Sequence, residues 1–137
     1  MPDIAEISKG VYKHIQDNIS ATIEVVYPYQ DKQPSLEKWI MVHILDINFL
    51  PMQKSEEIGS LILNVGIFSK EIDVYSADAI SDSLYAFLHK TNILTTNYIL
   101  RCLEGRTIKI YQERYQNIME RHVQHNVFDV TINIYKK

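Results

Sequence analysis

Apolar side chains recur every three or four residues at the start of the chain. Ile4, Ile7, Val11, Ile15 and Ile19 form one stripe, with Lys9, Lys13, Gln16 and Asp17 off it. That period predicts an amphipathic helix over 3–18. Asp3, followed three residues later by Glu6, supplies a capping carboxylate for its first amides. A second stripe, Ile80, Leu84, Phe87 and Leu88, predicts a helix over about 76–90. Ser76 or Asp73 is the expected cap, Asp78 suits the positive amino end, and Asn92 is the expected left-handed stop.

Elsewhere the period is two. Thr22–Tyr27 is β-branched and aromatic and ends at Pro28, which cannot donate to a ladder. Trp39–Phe49 places Ile40, Val42 and Ile44 on one face and Trp39, Met41, His43 and Leu45 on the other. A strand apolar on both faces belongs in the middle of a sheet or against a neighbouring subunit. Ser60–Ser69 alternates in the same way, and the polar segment 51–58 between the two predicts an antiparallel pair. Tyr98–Leu103 reads as a strand or a helical turn, and Glu104-Gly105-Arg106 as a turn. Thr107–Gln112 reads as a strand with Ile108 and Ile110 inward. Residues 113–125 read as a loose helical turn or an extended hairpin crossing. In Val127–Tyr135, Phe128, Val130, Ile132 and Ile134 alternate with Asp129, Thr131 and Asn133, one core face and one polar face. The order α-β-β-β-α-β-(β)-β predicts an α+β fold, a mainly antiparallel sheet with two amphipathic helices packed on one face.

Composition narrows this to one domain over 1–137. Hydrophobic residues make up 46% and charged residues 23% of 137, enough for a core without disulfides or metal. The single cysteine, Cys102, fits a reducing compartment and is expected to be a buried apolar side chain. No signal peptide and no membrane span is expected. Charge is divided unevenly: residues 1–100 carry 7 Lys against 13 Asp and Glu, and residues 101–137 carry 7 Lys and Arg against 4. Unlike faces could make a head-to-tail contact, unless folding mixes the two halves. No dense basic patch interleaves with aromatics, which argues against strong nucleic-acid binding.

Candidate chemistry is sparse. The glycines at 10, 59, 66 and 105 form no phosphate loop, and no G-x-S-x-G, H-E-x-x-H or C-x-x-C occurs. No Asp or Glu stands two before a Lys, as a common nuclease pattern needs. His122 and His125 would share a helical face and could bind a metal, but a third ligand is not evident, and an ordinary polar segment is the simpler reading. His43, in an apolar strand, is expected to be a core or interface imidazole. Glu56-Glu57 reads as a solvated tip or a partner contact, and Glu71 with Asp73 as acids before a helix. No catalytic residue, cofactor or metal is expected. Nine tyrosines are many for this length, and Tyr27, Tyr29, Tyr98, Tyr111, Tyr115 and Tyr135 fall at strand ends or in loops. Tyrosine joins a large apolar area to a polar tip and is enriched at interfaces, which supports oligomerisation.

An opening amphipathic helix is followed by a Pro-interrupted strand and loop, then by a two-strand hairpin with a polar tip. The run SLILNVGIFSKEIDVYSADAISDSLYAFLHK joins strand to helix, and FDVTINIY makes a final alternating strand. Over nearly the whole chain this layout resembles the tail terminator and tail completion proteins of long-tailed bacteriophages, the lambda-type terminator included. The resemblance implies a structural virion protein with no enzymatic activity. Such a protein forms a homo-oligomeric, hexameric ring on the head-proximal end of the tail tube, stops tube polymerisation and docks the head connector. Its implied partners are itself, the tail tube protein and the connector or neck protein. DNA crosses the channel without sequence-specific recognition, and no membrane is involved. The implied location is the tail–neck junction of the virion, reached from the host cytoplasm during assembly. Residues 113–125 depart from the shortest family members and could form a tube- or neck-facing extension. The residues singled out for subunit or partner contact are Tyr29, Trp39, Met41, His43, Glu56, Glu57, Arg114, Tyr115 and Arg121. A head-completion or neck protein of the same fold, a cellular protein-binding module and an enzyme with an unfamiliar site are the competing readings.

Overall fold

The computed structural model describes residues 3–28, 34–50, 57–70, 75–110 and 123–137. Helix α1 spans Ile4–Asn18, with the Asp3 carboxylate accepting from the Glu6 amide at 3.1 Å as its cap. Glu6 does not complete a reciprocal capping box. Its carboxylate turns away and accepts from the Asn97 amide at 3.0 Å. The Asp3 amide donates to the Tyr98 hydroxyl at 2.8 Å, so the first turn of α1 is tied to the sheet on two sides. Helix α2 spans Ser76–Leu88.

Seven strands make up the described sheet: β1 (Glu24–Val26), β2 (Lys38–Phe49), β3 (Glu57–Ser69), β4 (Asn92–Leu94), β5 (Tyr98–Cys102), β6 (Arg106–Ile110) and β7 (Gln124–Lys136). They lie in the order β1-β2-β3-β7-β5-β4, with β6 also paired to β7. All neighbouring pairs are antiparallel except β1 with β2, so the sheet is mixed. The hairpin expected from 39–69 is present and runs from Lys38↔Ser69 to Phe49↔Gly59. β5 and β6 lie end to end along the same edge of β7, pairing with its 132–136 and 125–129 stretches.

One face of the sheet carries the core. Ile40 and Val42 of β2, Leu61, Leu63, Val65 and Ile67 of β3, and Phe128, Val130, Ile132 and Ile134 of β7 are buried there. Ile7, Val11 and Ile15 of α1 and Ile80, Leu84 and Leu88 of α2 join the same cluster, so both helices cover this face. The structure is thus α+β with its helices on one side. His14 links the helices, its Nε2 lying 2.7 Å from the Phe87 carbonyl oxygen. Cys102 is 1% exposed inside this core, and burial pushes its thiol up to about 11, against a bond to Thr91 that pulls the other way. At that value the thiolate, the reactive form, is scarce at neutral pH.

Several expectations are corrected. Ile108 and Ile110 do not point inward. β6 pairs Thr107 with inward-facing Phe128 and Ile108 with outward-facing Val127, so both isoleucines lie on the face away from the helices, 43% and 40% exposed. The cap of α2 is neither Ser76 nor Asp73. Tyr75 holds the N-cap position but its side chain does not cap the helix, Ser76 is the first helical residue, and Asp73 lies outside the described residues. The amide of Ala77 is instead satisfied from the sheet, donating to Gln124 Oε1 at 3.2 Å. The left-handed residue after α2 is Lys90, at φ 53°, and Asn92 opens the short strand β4. Tyr98–Cys102 is a strand, and Arg106 begins β6 where a turn was expected. Glu57 and Ile58 belong to β3 and not to the loop before it. His125 lies in β7, so it cannot share a helical face with His122, which lies outside the described residues.

Two irregularities shape the sheet. β2 bulges at Asp46, whose φ of 48° is left-handed, and the register with β3 shifts between Leu45 and Asn48. Opposite stands Gly59, where a Cβ would run into the Asn48 carbonyl, so no larger residue fits without moving the strand. The second irregularity separates β5 from β6 at 103–105. There a Cβ on Gly105 would come within 2.5 Å of the Phe128 ring, and the Gly105 amide donates to His89 Nδ1 at 2.9 Å.

Candidate interaction surface

Because side chains alternate along a strand, the other face of the sheet follows from the register alone. No described helix or strand covers it. Its side chains fall into transverse rows. The first is Trp39, Phe68, His125 and Ile110, and the second is Met41, Gly66, Val127 and Ile108. The third, His43, Asn64, Asp129 and Arg106, is polar. The fourth is Leu45, Ile62 and Thr131, extended by Leu103, whose amide donates to the Thr131 carbonyl at 2.9 Å. The fifth, Asn48, Ser60, Asn133, Arg101 and Asn92, is polar again. Apolar and polar bands therefore alternate down the open face.

The first row is a ladder of parallel rings. Trp39 and Phe68 stack at 5.3 Å between centroids and 8° between planes, and Phe68 and His125 at 4.3 Å and 15°. The Lys70 ammonium caps the ladder 5.4 Å from the Trp39 ring centre. The ring of Phe68 leans back over Gly66 and fills the place of its missing side chain. Burial holds the His125 imidazole below its ordinary value of 6.5, because the charged form gives up hydration in the stack.

In the third row Asn64 donates to Asp129 at 2.6 Å, and Arg106 approaches the same carboxylate at 3.5 Å. His43 contributes a buried Nδ1 with no hydrogen-bond partner among the described residues. Between the third and fourth rows, where β5 breaks from β6, lies a cleft of about 520 Å³. Ile62 and Thr131 line it with Asp129, Arg106, Gly105 and Glu104. A mostly polar lining with charges of both signs and a wide mouth suit a side chain from another protein better than a buried small molecule.

The expected contact residues are placed as follows. Trp39, Met41 and His43 are successive outward positions of β2, in the first three rows. Glu57 is half-buried at the start of β3, opposite Tyr135. Tyr29, Glu56, Arg114, Tyr115 and Arg121 lie outside the described residues. Phe68, Asn64, Ile62, His125, Asp129 and Arg106, which complete the rows, were not singled out from the sequence. The signal for them is the register of β3 and β7, which is non-local. The uneven charge of the two chain segments is partly neutralised by folding where Lys109 of the basic segment pairs with Asp78 of the acidic one at 2.9 Å. Bonds from Asn126 and then Lys109 hold the Asp78 carboxyl below its ordinary range. Among the described residues no three His, Cys, Asp or Glu side chains gather where they could hold a metal.

No protein-family model and no curated protein matches this chain. Among solved structures it is similar to a chain of the virion of the native gene transfer agent (GTA) particle, with a TM-score of 0.63 and 8% sequence identity. The match covers 98% of this chain and 100% of the other. At that identity the likeness is one of fold, and it extends over both molecules from end to end.

Proposed function

We propose that this chain is a structural protein of a phage-like virion, and specifically a tail terminator. As a hexameric ring it caps the head-proximal end of the tail tube, stops further subunits from adding and presents the head connector with a docking surface. The observation that carries this reading is the likeness of fold, over nearly the whole of both chains, to a chain of a gene transfer agent virion. The layout of the sequence supports it independently. The open face adds a physical reason: it offers ring edges, exposed aliphatic side chains and a mixed-charge cleft, the equipment of a protein contact.

The test is to add the purified chain to polymerising tail-tube protein of the same particle and measure tube lengths by negative-stain microscopy. Growth is expected to stop at one end, with a ring of extra density there. Tubes of unchanged length, with no bound chain, would sink the terminator reading.

A further inference from the structure

We propose that, off any assembly, a second copy of this chain covers the open face, sheet against sheet, about a two-fold axis running along the strands between β3 and β7. The proposal is independent of the virion reading, because it rests on the pattern of the face itself.

The axis is chosen by the rows. A rotation about a line parallel to the strands returns each row to its own level, so apolar bands meet apolar bands and polar bands meet polar ones. An axis across the strands would set the ring ladder against a polar row. Within the third row the rotation reverses left and right. Asp129 of one copy then faces Asn64 of the other, and Arg106 faces His43, with no like charges in contact. Such reciprocity, each contact made twice, is what an isologous interface requires.

Shape agrees with this. Leu45, 45% exposed, projects from the β2 side of the sheet at the level of the fourth row. The cleft, which Ile62 and Thr131 line together with Asp129, Arg106 and Glu104, opens toward the β6 side at the same level. The rotation places the Leu45 of each copy over the cleft of the other, and brings His43 to its rim beside Asp129 and Glu104. Size agrees too. The long strands β2, β3 and β7 and the end-to-end pair β5 and β6 fill four positions spaced by about 4.8 Å; at about 12 residues per position and about 3.3 Å per residue they present a face of roughly 800 Å². A stable specific interface needs about that area from each partner. Aligned sheets pack at a spacing of about 10 Å, which leaves room for these side chains to interdigitate.

Sedimentation equilibrium of the intact chain is expected to give twice the 16.0 kDa chain mass. Leu45→Lys should weaken the dimer by roughly tenfold or more while leaving the circular-dichroism melt in place, since the side chain is exposed and supports no core contact. A second variant tests the geometry. In Leu45→Cys with Glu104→Cys the two thiols of one chain are separated by three strand spacings, about 14 Å. That exceeds the reach of a disulfide, about 7 Å between α-carbons. Oxidation should therefore give a covalent dimer on a non-reducing gel. A chain that stays monomeric up to millimolar concentration overturns the proposal and assigns the face to a different protein. An oligomer of any size that Leu45→Lys leaves intact, with no covalent dimer from the cysteine pair, overturns it as well.

Discussion

The side chain that reports most directly on the open face is His125. It lies flat on Phe68 in the ring ladder, where burial disfavours its charged form. Below its ordinary value of 6.5, the unfolded chain binds a proton that the folded stack resists. The unfolded state then holds more protons, so stability falls as the pH drops from 6.5 through the folded value and levels off below it. His125→Phe keeps the stack and removes the titration. Urea unfolding at pH 7 and pH 5 should show a smaller loss of stability in the variant than in the parent chain. Equal losses would mean that the imidazole does not sense the stack. Asp78 has the same sign in a lower window: its lowered carboxyl favours the fold above its unfolded value and loses that effect only in stronger acid, below the range of this test.

At the scale of elements, β3 separates the two faces by one residue. Leu63 is fully buried under the helices, and its neighbour Ile62 is 37% exposed on the open face. Leu63→Ala should cost about 3 kcal/mol, in the usual range for a buried leucine. Ile62→Ala should cost about 1 kcal/mol or less. Chemical denaturation of the two variants at chain concentrations that keep the protein monomeric checks the contrast, and similar costs there would show Ile62 to be buried within the single chain. Much of this element structure was legible locally. The α1 stripe and its Asp3 cap, the β2–β3 hairpin and the alternation of β7 all lie within short windows of sequence. What was not legible depended on distant partners. Alternation says that Ile108 and Ile110 share a face but not which one. That is decided by pairing with β7, whose core side is set by Phe128. The α2 cap was misread for the same reason, since its acceptor, Gln124, arrives from a strand far along the chain. β4, with three residues, is too short to carry a period. Of the candidate surface, the β2 contribution was visible as Trp39, Met41 and His43. The rows they belong to could not be seen before β2, β3, β7 and β6 were laid side by side.

For the whole molecule, the buried residues of both helices and of β1's approach, β2, β3, β4, β5 and β7 form one continuous cluster. We infer from this that the chain is a single domain that unfolds as one cooperative unit. Trp39 fluorescence reports the open face, and far-ultraviolet circular dichroism reports helices and sheet together. At a fixed chain concentration their thermal transitions should coincide. Two separated transitions would divide the chain into independently stable parts.

β7 lies between β3 on one side and β5 with β6 on the other, yet it follows all of them in sequence. During synthesis the strands it joins leave the ribosome first and must wait for it. In that interval the inner edge of β3, rich in Leu, Ile and Val, stands unpaired, a template for whatever strand comes near. The nascent chain is therefore most vulnerable late in translation, after most of its residues are made and before the strand that completes the sheet emerges. A partner or chaperone that shields β3 during that delay would raise the yield of soluble protein without touching the finished fold.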